Sequence, residues 1–481
     1  MIRRMLSLAR RVSVRQLIRN PRAELARILG WAGRRLQRVA TRSAHGRQDL
    51  PAWMQEEVFA LAGIEPALLG EQGGTDHYGY YGVPFVTRPG ELYRELMTQV
   101  GNRYHSHVMV LPWLVRGGAD RGALHHLRAW SEQIPVDNIL LLLTEDVESA
   151  WLDRVPEGIK VVCFGRIVGS MALEGRVQIL TRLLVQMQPE IIHNINSRVA
   201  WQAFKMFGLA LRQKSRLFAS LFCDDHDIHM VPVGYARSYL RECHPHLARV
   251  FCDNTVYPQR WSRELGVPLD IFSVLRFPHG ISVREKGDAF AIDGVPRVLW
   301  AGRFDRQKRL DVLVSIAEAM PGVPFDVHGV SDLGSKDPAL AALASLENVN
   351  LHGPFQRFED IVTRDHAAYL FTSGWEGLPT ILLDAAAAGV PIVAPAVGGV
   401  ADLIEPEWLV EHPDDVTAFQ DRIERLLADS GLRKSRRQKQ YNVLSTGRNW
   451  ADFIHALQAI PHYLPAEGPA AHRIGQQGRT T

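Results

Sequence analysis

Between residues 107 and 394 short apolar runs alternate with helical stretches, and this alternation most restricts how the chain can fold. Residues 107–112, 138–143, 160–164, 191–193, 217–222, 250–252 and 271–274 read as strands, with helical runs such as 121–130, 175–187 and 201–211 between them. A charged, weakly periodic stretch at 282–296 reads as a linker. A second series follows, with strands at 297–301, 325–328, 349–352, 367–372 and 392–394 and helices at 309–320, 381–388, 415–427 and 450–460. Alternation of strand and helix at this spacing implies a parallel sheet covered by helices on both faces. The expected fold class is α/β: two doubly wound domains in tandem, residues 105–281 and 297–464, facing across a cleft between the carboxyl ends of their sheets.

The flanking segments differ in kind. Residues 1–50 carry thirteen arginines against only Glu24 and Asp49, interleaved with Met5, Leu6, Leu8, Leu17, Ile28, Leu29 and Trp31. Over residues 1–47 the pattern suits basic amphipathic helices on an anionic membrane surface, with arginines among the headgroups. A solvated arm, or a helix docked on the protein itself, has the same composition. Residues 51–104 read as a connector with a helix at 56–61 and a Gly- and Tyr-rich loop at 70–82. Residues 465–481, rich in Gly, Gln and Pro, are expected to be disordered. The overall charge of +3 gives no support for nucleic acid as a partner. The four cysteines form no C-x-x-C pair, and no apolar run approaches the roughly 18 residues that cross a bilayer. The expected location is cytoplasmic, peripheral at the inner membrane face.

Chemistry is concentrated in two stretches. In residues 301–310 a strand ends at Gly302 and two cations, Arg303 and Lys308, precede an apolar helical run. A helix start offers free N–H groups and partial positive charge, so the turn suits an anion such as a phosphate. A solvated basic turn is the alternative, and Arg306 and Arg309 are expected to face water. In residues 373–391 Glu376 sits in a glycine-flanked loop, Thr380 is a candidate N-cap and Asp384 lies on its face one turn into the helix. Such a stretch can accept sugar hydroxyls at one carboxylate and a ribose diol at the other, or can simply be a capped helix with an acidic first turn.

The set G-R-x4-K, E-G-L-P-x3-L-D-A-x3-G-x-P and Val397-Gly-Gly-Val400 resembles the donor half of the retaining, GT-B-fold glycosyltransferases of family 4 (glycosyl transferases group 1), of the bacterial surface-polysaccharide type. The resemblance is specific over residues 297–405 and weaker over 107–281. It implies two Rossmann-like domains and transfer of a sugar from a nucleoside-diphosphate sugar to a glycan acceptor, with retention at the anomeric carbon. By the same resemblance Arg303 and Lys308 hold the donor diphosphate and Glu376 the donor sugar. Asp384, where the family has glutamate, takes the ribose. Gly118, Gly302 and the amides of Gly377, Leu378 and Thr380 surround the phosphates. Asp225 and His226 are the candidates for a polar group approaching the transferred sugar, with His193 behind them; His279-Gly280-Ile281 stands where the family has N-G-I.

Asp225-His226-Asp227 is also a D-x-D string, but cations and helix starts already suffice for a diphosphate, so neither a metal nor any other cofactor is expected. The basic arm makes a lipid-linked acceptor, such as a lipopolysaccharide O-antigen precursor, the natural partner. The alternative function is a catalytically idle nucleotide-sugar binding or scaffold protein of the same fold.

Overall fold

Thirteen strands in two parallel sheets organise the chain in a computed structural model. It describes residues 47–465 apart from 49, 51, 72, 76–77, 79, 82–86, 102, 280–291 and 332–337. The basic arm before Arg47, most of the linker, the Gly280 and Ile281 pair and the tail beyond Pro465 lie outside the described residues.

The first sheet contains β1 (His107–Leu111), β2 (Ile139–Leu143), β3 (Lys160–Val162), β4 (Ile191–Ile195), β5 (Arg216–Ser220), β6 (Leu247–Cys252) and β7 (Phe272–Val274). Their spatial order is β3-β2-β1-β4-β5-β6-β7, every pair parallel. The second contains β8 (Arg297–Phe304), β9 (Phe325–Ser331), β10 (Val349–His352), β11 (His366–Leu370), β12 (Ile392–Pro395) and β13 (Leu409–Val410), in the order β10-β9-β8-β11-β12-β13 and again all parallel. Both are doubly wound, with the strand order reversing beside β1 and beside β8. The loops that leave the carboxyl ends of β1, β4, β8 and β11 therefore flank the two switch points, where such sheets leave a crevice.

Burial on both faces explains the unbroken apolar strands. Val108, Val110, Leu140 and Leu142 enter one core, while Met109, Leu111, Leu141 and Leu143 enter the core on the opposite face. Strands alternate their side chains, so a sheet covered twice needs apolar residues at every position. Truncating one of these leucines to alanine costs about 2–5 kcal/mol.

By contact density the chain divides into two units, Met1–Glu91 and Leu92–Thr481, and both sheets belong to the second. Described residues of the first unit form the helix Ala52–Ala62 and an antiparallel pairing of Arg47–Gln48 with Tyr80–Tyr81. Helix Thr87–Val100 crosses the division, and its Leu92, Leu96 and Val100 are buried in the core of the second unit.

Five helices bear on the site: α1 (Gly118–Gln133), α2 (Val256–Leu265), α3 (Leu310–Ala319), α4 (Thr380–Ala387) and α5 (Trp450–Gln458). The sequence groups α5 with the second sheet. In the structure Phe453, Leu457, Ile460, Tyr463 and Leu464 are buried in the core of the first, together with Met109, Phe218 and Phe251. The chain thus crosses back at its end. An amphipathic helix shows which face it buries, but not which sheet waits for it.

Candidate active site

The site is built from the loops after β1, β8 and β11. After Arg303 and Phe304 the chain enters a tight turn, Arg306–Lys308, capped by Asp305. Asp305 Oδ1 accepts the Lys308 N–H at 3.1 Å, and Oδ2 lies 3.2 Å from the half-exposed Arg303 guanidinium. Arg303 also donates to Gln307 Oε1 at 3.2 Å. This turn is fastened to the loop after β11. The Thr372 hydroxyl donates to the Lys308 carbonyl at 2.6 Å, the Gly374 N–H to the Gln307 carbonyl at 2.9 Å and the Gln307 amide to the Trp375 carbonyl at 2.8 Å. With its backbone fixed in this way, Lys308 ion-pairs through Nζ with Oε1 of Glu376, and both side chains are largely buried. A Cβ on Gly302 would lie 3.2 Å from the Trp300 ring, a tight contact, and 3.7 Å from Lys308 Cγ, an ordinary one.

Glu376 is held from behind by the Val397–Val400 turn. Gly398 has φ +49, and a Cβ there would come within 1.7 Å of the Glu376 carbonyl oxygen; Gly399 N–H donates to the Gly377 carbonyl at 2.9 Å. Positive φ and close backbone approach together demand glycine.

The start of α4 departs from expectation. Pro379 is the N-cap and Thr380 is already helical, with no side-chain cap, because proline has set the entry φ at −66°. The Leu378 N–H, expected to be open to a phosphate, donates instead to Oδ2 of Asp253 at 3.1 Å. Asp253 follows β6 in the first lobe; burial pushes its carboxyl up to about 7, against hydrogen bonds from Asn254 and Leu378 that lower it. A Cβ on Gly377 would lie 3.0 Å from both Asp253 Oδ1 and the Phe222 carbonyl, so glycine admits the first lobe here.

Two further contacts join the lobes. A Cβ on Gly118, at the start of α1, would stand 3.6 Å from Thr380 Cγ2. Three residues on, Arg121 grips Asp384 with both prongs, at 2.9 Å to Oδ1 and 3.0 Å to Oδ2. Asp384 is therefore committed to a guanidinium of the opposite lobe. The structure brings Arg303, Lys308 and Glu376 together, and sets Gly118 against Thr380, with every one of these charges internally paired.

His226 and Asp225 begin a two-strand hairpin with Pro232–Val233. The His226 ring lies 4.8 Å from that of Trp375, next to Glu376, and burial holds its pKa below the usual histidine value. Asp225 is exposed and its carboxylate accepts the His226 N–H at 2.8 Å, while Asp227 accepts the N–H groups of His229 and Val231. The string's acids thus shape the hairpin turn. Arg306 is exposed, as expected, and it also reaches the carbonyls of His226 and Asp227 and lies over Trp375. Arg309, left-handed at φ 50, pairs with Asp311 and Asp414. His193 is fully buried, hydrogen-bonded through Nδ1 to the Tyr463 hydroxyl (2.8 Å) and through Nε2 to Ser220 (2.9 Å), and so belongs to the core. The His279 N–H donates to the Arg448 carbonyl at 3.2 Å. Among the described residues no group of three or more His, Cys, Asp or Glu is placed to hold a metal ion.

Sequence reasoning missed Arg121 and Asp253. Asp253-Asn254 directly after an apolar strand was a usable sign of a strand-end acid. Arg121, one of many helical arginines, had none.

Two doubly wound lobes that meet through the loops at their strand ends are the fold of the GT-B glycosyltransferases. Within it, residues 295–429 match the family described as glycosyl transferases group 1. The chain is 26% identical over 302 residues to the lipopolysaccharide 1,6-galactosyltransferase of Escherichia coli, covering 59% of this chain and 78% of that protein. It is 35% identical over 98 residues to an exopolysaccharide phosphotransferase of Streptomyces coelicolor, which is 20% of this chain but spans only 10% of that relative's length. Among solved structures, Anabaena HepE in complex with UDP and glucose superposes with a TM-score of 0.58 at 16% identity, covering 74% of this chain and 99% of that one. Among the described residues no helix is long and apolar enough to cross a membrane.

Proposed function

We propose that the protein is a glycosyltransferase that moves a sugar from a nucleoside-diphosphate sugar to a hydroxyl of a glycan acceptor, with retention at the anomeric carbon. The observation that carries this reading is the buried Lys308–Glu376 pair, which places a cation for a leaving phosphate and a carboxylate for sugar hydroxyls side by side. Solved relatives of this fold bind UDP with a sugar, and the Escherichia coli relative acts on lipopolysaccharide.

In this reading the diphosphate enters between Arg303, Lys308 and the start of α4, and the sugar hydroxyls take over part of Glu376. The bond from the anomeric carbon to the phosphate oxygen breaks, and both electrons leave with the nucleoside diphosphate. The incoming hydroxyl adds to the same face and gives its proton to the departing phosphate oxygen. Cations fixed before the reaction stabilise that leaving group. No metal ion or other cofactor is required. The acceptor is lipid-linked and reached at the cytoplasmic membrane face through the basic residues 1–47.

The test is incubation of the full chain with UDP-, GDP-, ADP- and TDP-sugars while free nucleotide is monitored. Slow hydrolysis of one, accelerated by a lipid-linked acceptor, supports the enzyme. Binding without turnover supports the scaffold alternative, and an absence of binding rejects both.

A further inference from the structure

We infer that Asp253 is a positioning residue for sugar transfer: with Asn254 and Thr255 it clamps the first lobe onto the two loops that hold Glu376, and so fixes where that carboxylate stands. The inference rests on the function proposed above and adds to it a first-lobe residue that acts through the backbone of the opposite lobe.

Three consecutive residues between β6 and α2 reach from one lobe to the other. Asp253 Oδ2 accepts the Leu378 N–H at 3.1 Å, just beyond Glu376 in the same loop. Asn254 packs on the turn after β12, where a Cβ on Gly399 would stand only 2.5 Å from Asn254 Cβ. Thr255 donates its N–H to Asp402 Oδ2 at 2.8 Å and its hydroxyl to Oδ1 at 2.7 Å. The loop after β11 and the turn after β12 are already one unit, because the Gly399 N–H donates to the Gly377 carbonyl. The triplet therefore grips that unit through all three of its residues, while Lys308 meets the Glu376 carboxylate from within the second lobe.

On the first-lobe side the clamp is fixed in turn. The Asn254 amide uses both hydrogens, on the Phe222 carbonyl at 2.8 Å and on Asp253 Oδ1 at 2.7 Å, and its oxygen caps α2 by accepting from the N–H groups of Val256 and Tyr257. Asp253 is 5% exposed, so solvent does not compete for these partners. A side chain locked in this way holds its target to the tolerance a reaction demands, where a displacement of about 1 Å costs about 100-fold. The charged and titratable groups around it are Glu376 from the second lobe, the Cys252 and Cys223 thiols from its own, and the buried Arg448 guanidinium from the segment before α5, which Asp402 also attracts. Burial first, and then the Glu376 charge, push the Asp253 carboxyl up to about 7. Both of its oxygens accept N–H groups, and a carboxylate does so about twice as strongly as a neutral carboxyl, so the grip tightens as pH rises through about 7.

The experiment has two arms, both on the full chain. In the first, amide hydrogen exchange of residues 374–382 is followed by mass spectrometry with no nucleotide present. Asp253→Ala should speed exchange there about tenfold, the loss of one buried hydrogen bond, and Asp253→Asn, which retains an acceptor for the Leu378 N–H, by less. Unchanged exchange in Asp253→Ala overturns the clamp. In the second arm, UDP-, GDP-, ADP- and TDP-glucose are offered and hydrolysis of the fastest is measured between about pH 5.5 and about pH 8.5. The ratio of wild-type to Asp253→Asn kcat should rise about fivefold across that range, and taking the ratio cancels the other groups that titrate. A merely structural role would give a ratio that does not change with pH, which overturns the inference, as does a ratio that falls. Should Asp253→Ala not fold, the Asp253→Asn profile decides alone. A wild-type chain that hydrolyses none of the four removes the proposed function, and with it the role in transfer, whatever the exchange arm shows.

Discussion

Lys308 Nζ and Glu376 Oε1 form an ion pair from two different loops, and the backbones of both loops are cross-linked by hydrogen bonds before the side chains meet. The pair is therefore preorganised by the fold. A ligand that enters here must exchange with it, gaining the lysine for its anion and the carboxylate for its hydroxyls.

Lys308→Ala or Arg303→Ala should lower turnover by roughly 100-fold or more, because each removes a fixed cation from the leaving group. Initial rates of transfer or nucleotide-sugar hydrolysis measure this. Near-normal rates in both variants would dismiss the assignment of the diphosphate to this turn.

Gly398→Ala should be severe. Its φ of +49 disfavours a side chain, and the new Cβ would stand 1.7 Å from the Glu376 carbonyl oxygen, so backbone must move. We expect a loss of about 2–4 kcal/mol in denaturant titration, or a displaced Glu376 and lost turnover. A variant with unchanged stability and activity would show that this turn does not support Glu376.

Stability should fall as pH drops below about 6.5. Burial lowers His107 and His125 to about 4 and His126 to about 3, and holds His193 well below the usual histidine value. The unfolded chain binds these protons near pH 6.5 and the folded one does not, so each group can add up to about 1.4 kcal/mol per pH unit to the slope. Asp253 and Asp120, raised to about 7 and about 6, act in the opposite sense, because the folded state holds their protons more tightly. Four histidines outweigh two carboxyls. Denaturant midpoints at pH 7.5 and pH 5.5 test the sign; a higher midpoint at pH 5.5 would refute it.

Chelation should leave activity unchanged. Cations and amide donors accompany the proposed diphosphate, and the acids of the D-x-D string serve their own hairpin. Assays with EDTA, with and without added manganese, decide; abolition by EDTA and rescue by manganese would require a metal.

The sheets were legible because parallel strands covered on both faces must be apolar throughout, as residues 139–143 are. Helix Ser430–Ser445 escaped notice for the opposite reason. Its sequence is mostly polar, and it buries Arg436 and Gln440 alongside Leu444, so no apolar stripe marks it. Within the site, Lys308 and Glu376 could be read because each sits at a fixed offset from glycines that shape its loop. Their partners could not. The Arg121–Asp384 contact spans 263 positions and Asp253–Leu378 spans 125, and nothing local at Arg121 distinguishes it from its neighbours.

The return of α5 to the first lobe bears on how the protein is made. Tyr463 bonds His126 and His193 at the centre of a core whose other members are synthesised much earlier. A nascent first lobe therefore leaves the ribosome with this core only partly covered, by Ala123, Leu127 and Trp130 of α1 but not yet by α5. Its closure waits until the whole second lobe has been translated, so the first lobe reaches its final packing only when residues 450–464 arrive.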